Sequence, residues 1–391
     1  MKRDARVLLI GIAYSGFIAL GLSSGLLGVA WPSMRASFGL SLDAVGTLLV
    51  ATTAGSLLSS FSSGPVVSRI GAGRLLLVAS VLMGVGLLGY SLAPTWWVLV
   101  LIGVLSGMGG GAMDAGMNTY FAANHSASLM NWLHACFGLG ATLGPVVMTT
   151  VLNMGQSWRW GYVVAGVLQG LLALSFGLTL PQWQLAGANS PEAHSRSSVD
   201  GVRAGDTLRL PGVWLGIALF FVLTGVEGTA GQWPYTLFTE ARGVAPSAAG
   251  MWVSIFWGSL TVGRIVSGFV VDRLGVVSSA RLGLIGVILG AAGVWWNVAD
   301  VVGFLGLALI GFSLAPLFPL LISHTPKRLG AAHAPNAIGF QVAAAGLGLS
   351  LVPGLAGVLA ESLGLEIIGP FLLLASIATF LLHEVIVSRR S

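Results

Sequence analysis

Long apolar stretches separated by short polar connections run the length of the chain. They fall at 7–30, 44–68, 74–93, 96–121, 133–153, 161–180, 212–239, 247–271, 281–299, 301–323, 336–359 and 365–387. Each matches the roughly 20 residues that a helix needs to cross the hydrocarbon core of a bilayer. In lipid the backbone must satisfy its own hydrogen bonds, so such stretches predict helices. The pattern predicts an all-α membrane protein of twelve transmembrane helices, embedded in a lipid bilayer. Composition agrees: 8% of the 391 residues are charged, against about 25% in soluble domains, so a soluble fold is excluded. Lys2, Arg3 and Arg6 ahead of the first apolar run resemble a signal peptide. The run is too long and too many spans follow, so it reads as an uncleaved first span.

The net charge is +5, and its meaning depends on position. With the amino terminus in the cytoplasm, fifteen of the eighteen basic residues fall inside and only Arg35, Arg159 and Arg242 outside. That is the asymmetry of a plasma or inner-membrane protein with both termini cytoplasmic, and it leaves no basic surface for nucleic acid. The polar segment 181–211, with Glu192, His194, Arg196, Asp200, Arg203 and Asp206, reads as a cytoplasmic linker. It divides the chain into an N-terminal six-helix half, 1–180, and a C-terminal half, 212–391. Cys136 is the only cysteine, which excludes an internal disulfide and a cysteine metal cluster.

The halves repeat each other. Trp31-Pro32 is answered by Trp233-Pro234 at an offset of 202, and Gly46 by Gly250 at 204. Ser63-Gly64-x-x-x-Ser68-Arg69-x-Gly71 returns as Ser267-Gly268-x-x-x-Asp272-Arg273-x-Gly275 at 204, and Gly138-x-Gly140-x-x-x-x-Pro145 as Gly346-x-Gly348-x-x-x-x-Pro353 at 208. Parallel six-span repeats with a midplane solute site are the plan of the major facilitator fold. The loop around Gly64, Arg69 and Gly71, and around Gly268, Asp272 and Arg273, resembles that superfamily's signature. The first copy carries Ser68 where the signature has an acid.

A charge at mid-membrane depth is a functional hypothesis, and two carboxylates qualify: Asp114 in the fourth span and Glu227 in the seventh. Arg264 lies about two turns from the inner end of the eighth span and reads as reaching the headgroups. With no other cation at that depth, the acids lose their charge by binding protons, which points to proton coupling. Asn118 follows Asp114 by one turn and shares its face. Asn131, His134, Gln232 and Gln341 are further polar candidates for solute contact, and Trp31, Trp233, Trp252 and Trp257 offer flat faces for a sugar ring. No Walker motif, cofactor site or metal-ligand spacing appears, so the chain is no enzyme and transport is secondary. Spans 1 and 7 lack a basic residue at their centres, which disfavours anionic solutes.

Gly107-Met108-Gly109-Gly110-Gly111-Ala112-Met113-Asp114-Ala115-Gly116-Met117-Asn118, then Leu133-His134-Ala135-Cys136-Phe137-Gly138-Leu139-Gly140-Ala141, and Phe256-Trp257-Gly258-Ser259-Leu260-Thr261-Val262-Gly263-Arg264 resemble the fucose permease branch of the major facilitator superfamily. These are the fucose, galactose and glucose:proton symporters. The resemblance implies proton coupling and sugar contact at Asp114 and Asn118. It also implies an acid in span 1, where this chain has only Tyr14 and serines, so the coupling acid has moved to Glu227 or the solute differs. The expectation is a monomer that imports a neutral polar small molecule, a hexose or 6-deoxyhexose, with a proton. Two alternatives stand beside it: a proton-driven exporter of lipophilic compounds, and a membrane sensor or lipid-handling protein on the same scaffold.

Overall fold

The computed structural model describes residues 3–187, 202–296 and 298–388. Linker residues Glu192, His194, Arg196 and Asp200 lie outside the described residues. Six long helices come first: α1 (Arg3–Phe38), α2 (Val45–Ile70), α3 (Ala72–Leu92), α4 (Trp96–Asn124), α5 (Ala127–Asn153) and α6 (Arg159–Leu178), with a short α7 (Leu180–Gly187) behind them. After the linker come α8 (Ala204–Leu208), α9 (Pro211–Gln232), α10 (Pro234–Thr236), α11 (Pro246–Leu274), α12 (Val276–Trp295), α13 (Asp300–Leu314), α14 (Leu317–Leu329), α15 (Ala334–Leu363) and α16 (Ile368–Ser388). Twelve stretches are long and apolar enough to span a membrane; α9 and α10 share the span Pro211–Ala241, and α13 and α14 share Asp300–Leu329. No strand occurs among the described residues.

The chain divides into two compact units, one of Met1–Leu40 with Thr47–Ser198 and the other of Ser41–Gly46 with Val199–Ser391. Without a hydrophobic drive between helices in lipid, close backbone packing has to hold each unit together. In the first unit Gly21 and Gly25 of α1 face Gly140 and Gly144 of α5, two Gly-x-x-x-Gly stripes. A Cβ on Gly140 would fall inside the Ile18 carbonyl, and one on Gly25 would lie 2.6 Å from the Ala141 carbonyl oxygen. Gly107 and Gly111 of α4 meet Thr52 and Ser56 of α2 in the same way, while Gly109 meets α3 at Met83. α7, unforeseen in the sequence, is pinned by Trp183, fully buried against Tyr120 and Phe176 with its Nε1 donating to Thr179 Oγ1 at 3.0 Å.

The second unit uses the same device. Gly348 of α15 presses on the Phe221 carbonyl of α9, and Gly290 of α12 on the Gly306 carbonyl of α13. The segment Ser41–Gly46 packs on α15: Glu361 accepts the Leu42 N–H at 2.6 Å, and Gly46 faces Gly354. The signature motifs are more helical than a loop reading allows. α2 runs through Gly64 and Arg69, and α11 through Gly268 and Arg273. Only Gly71 and Gly275 turn the chain, at φ of 82° and 76°, where a side chain would be strained. Open space surrounds Gly64 and Gly268. The Asp272 side chain lies outside the described ones.

Two arginines read as external are structural ties. Arg159 donates to the carbonyls of Ser91 (2.7 Å) and Ala93 (3.0 Å) at the end of α3, with its guanidinium over Trp158. Arg242 donates to Val294 O (2.9 Å) at the end of α12 and forks onto Glu366 at 2.8 and 2.9 Å. A cation there satisfies carbonyls that a helix end leaves open and complements its negative pole.

Candidate functional site

In the first unit the site is built on α4. Leu101 and Leu105, both exposed, mark its lipid-facing side. Asp114 follows Leu105 by nine residues, about two and a half turns, which turns it to the opposite side of the helix. That side lies between the row facing α2 (Gly107, Gly111) and the row facing α1, where Gly110 looks toward Leu20 and Met113 and Met117 approach Gly16. Asp114 is exposed there and Asn118 half-buried. Asn118 Nδ2 donates to Asp114 Oδ1 at 3.0 Å. The i,i+4 spacing that joins them in sequence thus becomes a hydrogen-bonded acid–amide pair that solvent can reach. Gly107 and Gly111 beside it let α2 approach α4 backbone to backbone.

On α5, His134 is half-buried with its ring edge-on to Phe17, 5.6 Å between centroids, and Asn131 is exposed one turn earlier. Trp31 is fully buried with Nε1 unpaired, so neither of its faces is open to a solute.

In the second unit Glu227 is half-buried on α9. Gly231, one turn on, shares its face and meets Trp257 of α11; a Cβ there would be 2.7 Å from Trp257 Cζ2. Trp257, Thr261 and Arg264 stand at i, i+4 and i+7 and are all half-buried. Arg264, on the stripe that Trp257 turns toward α9, stands on the side of α11 that faces Glu227. A long side chain pointing back along its helix covers more depth than residue counting allows. The spacing of Trp257, Thr261 and Arg264 was the sequence signal for this face.

The remaining candidates lie among the second unit's own side chains in this structure. Trp233 is fully buried and its Nε1 donates to Pro353 O at 2.9 Å. Gln232 is buried at the end of α9 with Nε2 unpaired. Gln341 is buried, and its Oε1 accepts from Thr325 Oγ1 at 3.0 Å. Trp252 stacks on Phe304, 5.0 Å between centroids at 14°.

Residues 13–296 match the family model described as Major Facilitator Superfamily. Bypass of stop codon protein 6 of Saccharomyces cerevisiae is 24% identical over 405 aligned residues, covering 94% of this chain and 80% of that protein. The glucose/mannose transporter GlcP of Bacillus subtilis is 21% identical over 314, covering 79% and 78%. Among solved structures, a point mutant of the nucleoside transporter NupG superposes with a TM-score of 0.81 at 14% identity, over 97% of this chain and 99% of that one.

Proposed function

Because this chain belongs to the Major Facilitator Superfamily and is a multi-pass membrane transporter, not an enzyme, we propose that it carries a neutral polar solute, a hexose or 6-deoxyhexose, in symport with a proton. In this reading it works as a monomer in the plasma or inner membrane with both termini in the cytoplasm. Residues 1–180 and 212–391 are the working halves, joined by the linker 181–211. The observation that carries the proposal is the Asp114–Asn118 pair, polar, reachable by solvent and turned from the lipid side of α4. A carboxylate in such a place binds a proton from one side of the membrane and gives it up to the other. The amide beside it supplies a donor and an acceptor for a hydroxyl. Coupling arises because the protonated, loaded site is uncharged and closes more readily than the empty, charged one. The likeness to the fucose permease branch at Asp114 and Asn118, and a glucose/mannose transporter among the relatives, support the sugar.

The test is uptake into proteoliposomes. Asp114→Asn is expected to abolish accumulation driven by a pH gradient while sparing exchange of labelled sugar at equilibrium. Undiminished accumulation by that variant would overturn the role of Asp114, and proton-linked efflux of lipophilic cations would favour an exporter instead.

A further inference from the structure

We propose that Arg264 is a substrate-binding residue: the solute bridges Glu227 and Arg264, one hydroxyl donating to the carboxylate and another accepting from the guanidinium, with its apolar face against Trp257. The inference rests on the sugar reading above and narrows it to a chemistry in the second half.

The geometry starts on α11. Trp257, Thr261 and Arg264 form one stripe along the helix, half-buried throughout, while Val262, Ile265 and Phe269, exposed toward lipid, lie on another side. The stripe looks toward α9, because Trp257 fills the space beside Gly231. Glu227 is one turn from Gly231 on that same face of α9. Arg264 stands about 10 Å along the axis from Trp257, seven residues at 1.5 Å each. From there a side chain angled back along its helix approaches the level of Glu227.

The two groups share this face without pairing. No ion pair or hydrogen bond joins them, and neither side chain has another hydrogen-bond partner among the described residues. Opposite charges held half-buried and apart carry a desolvation cost that a bridging ligand relieves. A polyol suits this arrangement because each hydroxyl both donates and accepts. A net anion is repelled by Glu227 and a net cation by Arg264. Arg rather than Lys matters here, since the planar fork reaches two oxygens at once.

The test uses the purified full chain in detergent, with binding of D-glucose, D-galactose, L-fucose and the zwitterion L-alanine followed by calorimetry. Wild type is expected to bind at least one sugar. Arg264→Gln should weaken that affinity tenfold or more, and Arg264→Lys by less. Glu227→Gln should also weaken it, and the double variant should lose less than the product of the single losses, as for two residues holding one ligand. Thermal unfolding checks each fold; should Arg264→Gln not fold, the Lys variant carries the test. Unchanged affinity in a folded Arg264→Gln overturns this inference and leaves the sugar reading standing. Wild type that binds no sugar overturns the sugar reading itself. Binding of L-alanine in preference to every sugar overturns the polyol assignment.

Discussion

Spans 1 and 4 hold the same places in the repeat as spans 7 and 10, yet the first pair are continuous helices and the second pair are broken. α1 runs from Arg3 to Phe38 straight through Trp31-Pro32, and α4 from Trp96 to Asn124. Span 7 stops being regular at Trp233-Pro234, continues as the single turn α10 and ends in a π-helical turn, Leu237–Ala241. Span 10 breaks at Ala315-Pro316 between α13 and α14. One dipeptide, Trp-Pro, thus has two outcomes. Proline costs a helix its hydrogen bond wherever it falls, so the neighbours decide. Burial does not separate the two, since Ala30 and Trp31 ahead of Pro32 and Ala230 and Trp233 ahead of Pro234 are all fully buried. Nor does glycine, about 1 kcal/mol poorer than alanine as a helix former, since Gly28 precedes Pro32 as Gly231 precedes Pro234. What differs is the tryptophan's partner: Trp233 Nε1 is tied to Pro353 O on α15, and Trp31 Nε1 has none. The break in span 7 falls nearly two turns beyond Glu227, which itself sits in regular helix.

The comparison can be broken first where the halves are most alike. Gly140 and Gly348, equivalent in the repeat, each lie against a carbonyl of their unit's first span, Ile18 and Phe221. Replacing either by Leu should abolish folded protein, because overpacking against backbone cannot be relieved by a rotamer change. Gly64→Ala and Gly268→Ala, with open space around both, should leave yield unchanged. Size-exclusion profiles of the four variants check this. If only one of the two Leu variants fails, the halves do not share the device.

Much of this was legible in the sequence, for a stated reason. Spans are set by residue count and apolarity, and the repeat by glycines whose spacing survives because backbone contact tolerates nothing larger. The Asp114–Asn118 bond followed from i,i+4 spacing alone. What escaped depends on contacts between distant segments. Trp31 and Trp233 look equivalent in sequence, but only Trp233 finds an acceptor, on α15. Arg242 looked like an external charge, although its side chain is 2% exposed and tied to Glu366 and Val294. The break at Pro316 was hidden because proline also occurs within α1, α2, α5 and α15, which continue through it.

A smaller effect separates the two tryptophans. Trp233→Phe removes a buried donor from Pro353 O and should cost about 1 kcal/mol, lowering the apparent Tm in detergent by roughly 1–2 °C. Trp31→Phe removes a donor that has no partner, so the loss of the N–H itself costs nothing. Equal losses in the two variants would mean that ring volume, and not the hydrogen bond, sets the loss in both halves.

The smallest expected effect comes from two histidines 208 residues apart, the offset of the Gly-x-Gly pair. His333, ahead of α15, shares a hydrogen bond of 3.0 Å with Thr207. His125, ahead of α5, has neither ring nitrogen partnered and packs against Tyr120 and Phe121. Burial, and then the positive charge of Arg6, hold the His125 imidazole below its usual range. The unfolded chain therefore takes up this proton first as the pH falls. Stability contributed by the neutral ring is whole above about pH 6.5 and is lost as the pH drops through that value toward the folded one. His125→Gln cannot take up that proton, so its apparent Tm should fall less between pH 7.5 and 5.5 than wild type's, by a fraction of a degree. Identical pH profiles would show that the first unit relaxes around a charged His125 and that the missing partner has no energetic consequence there.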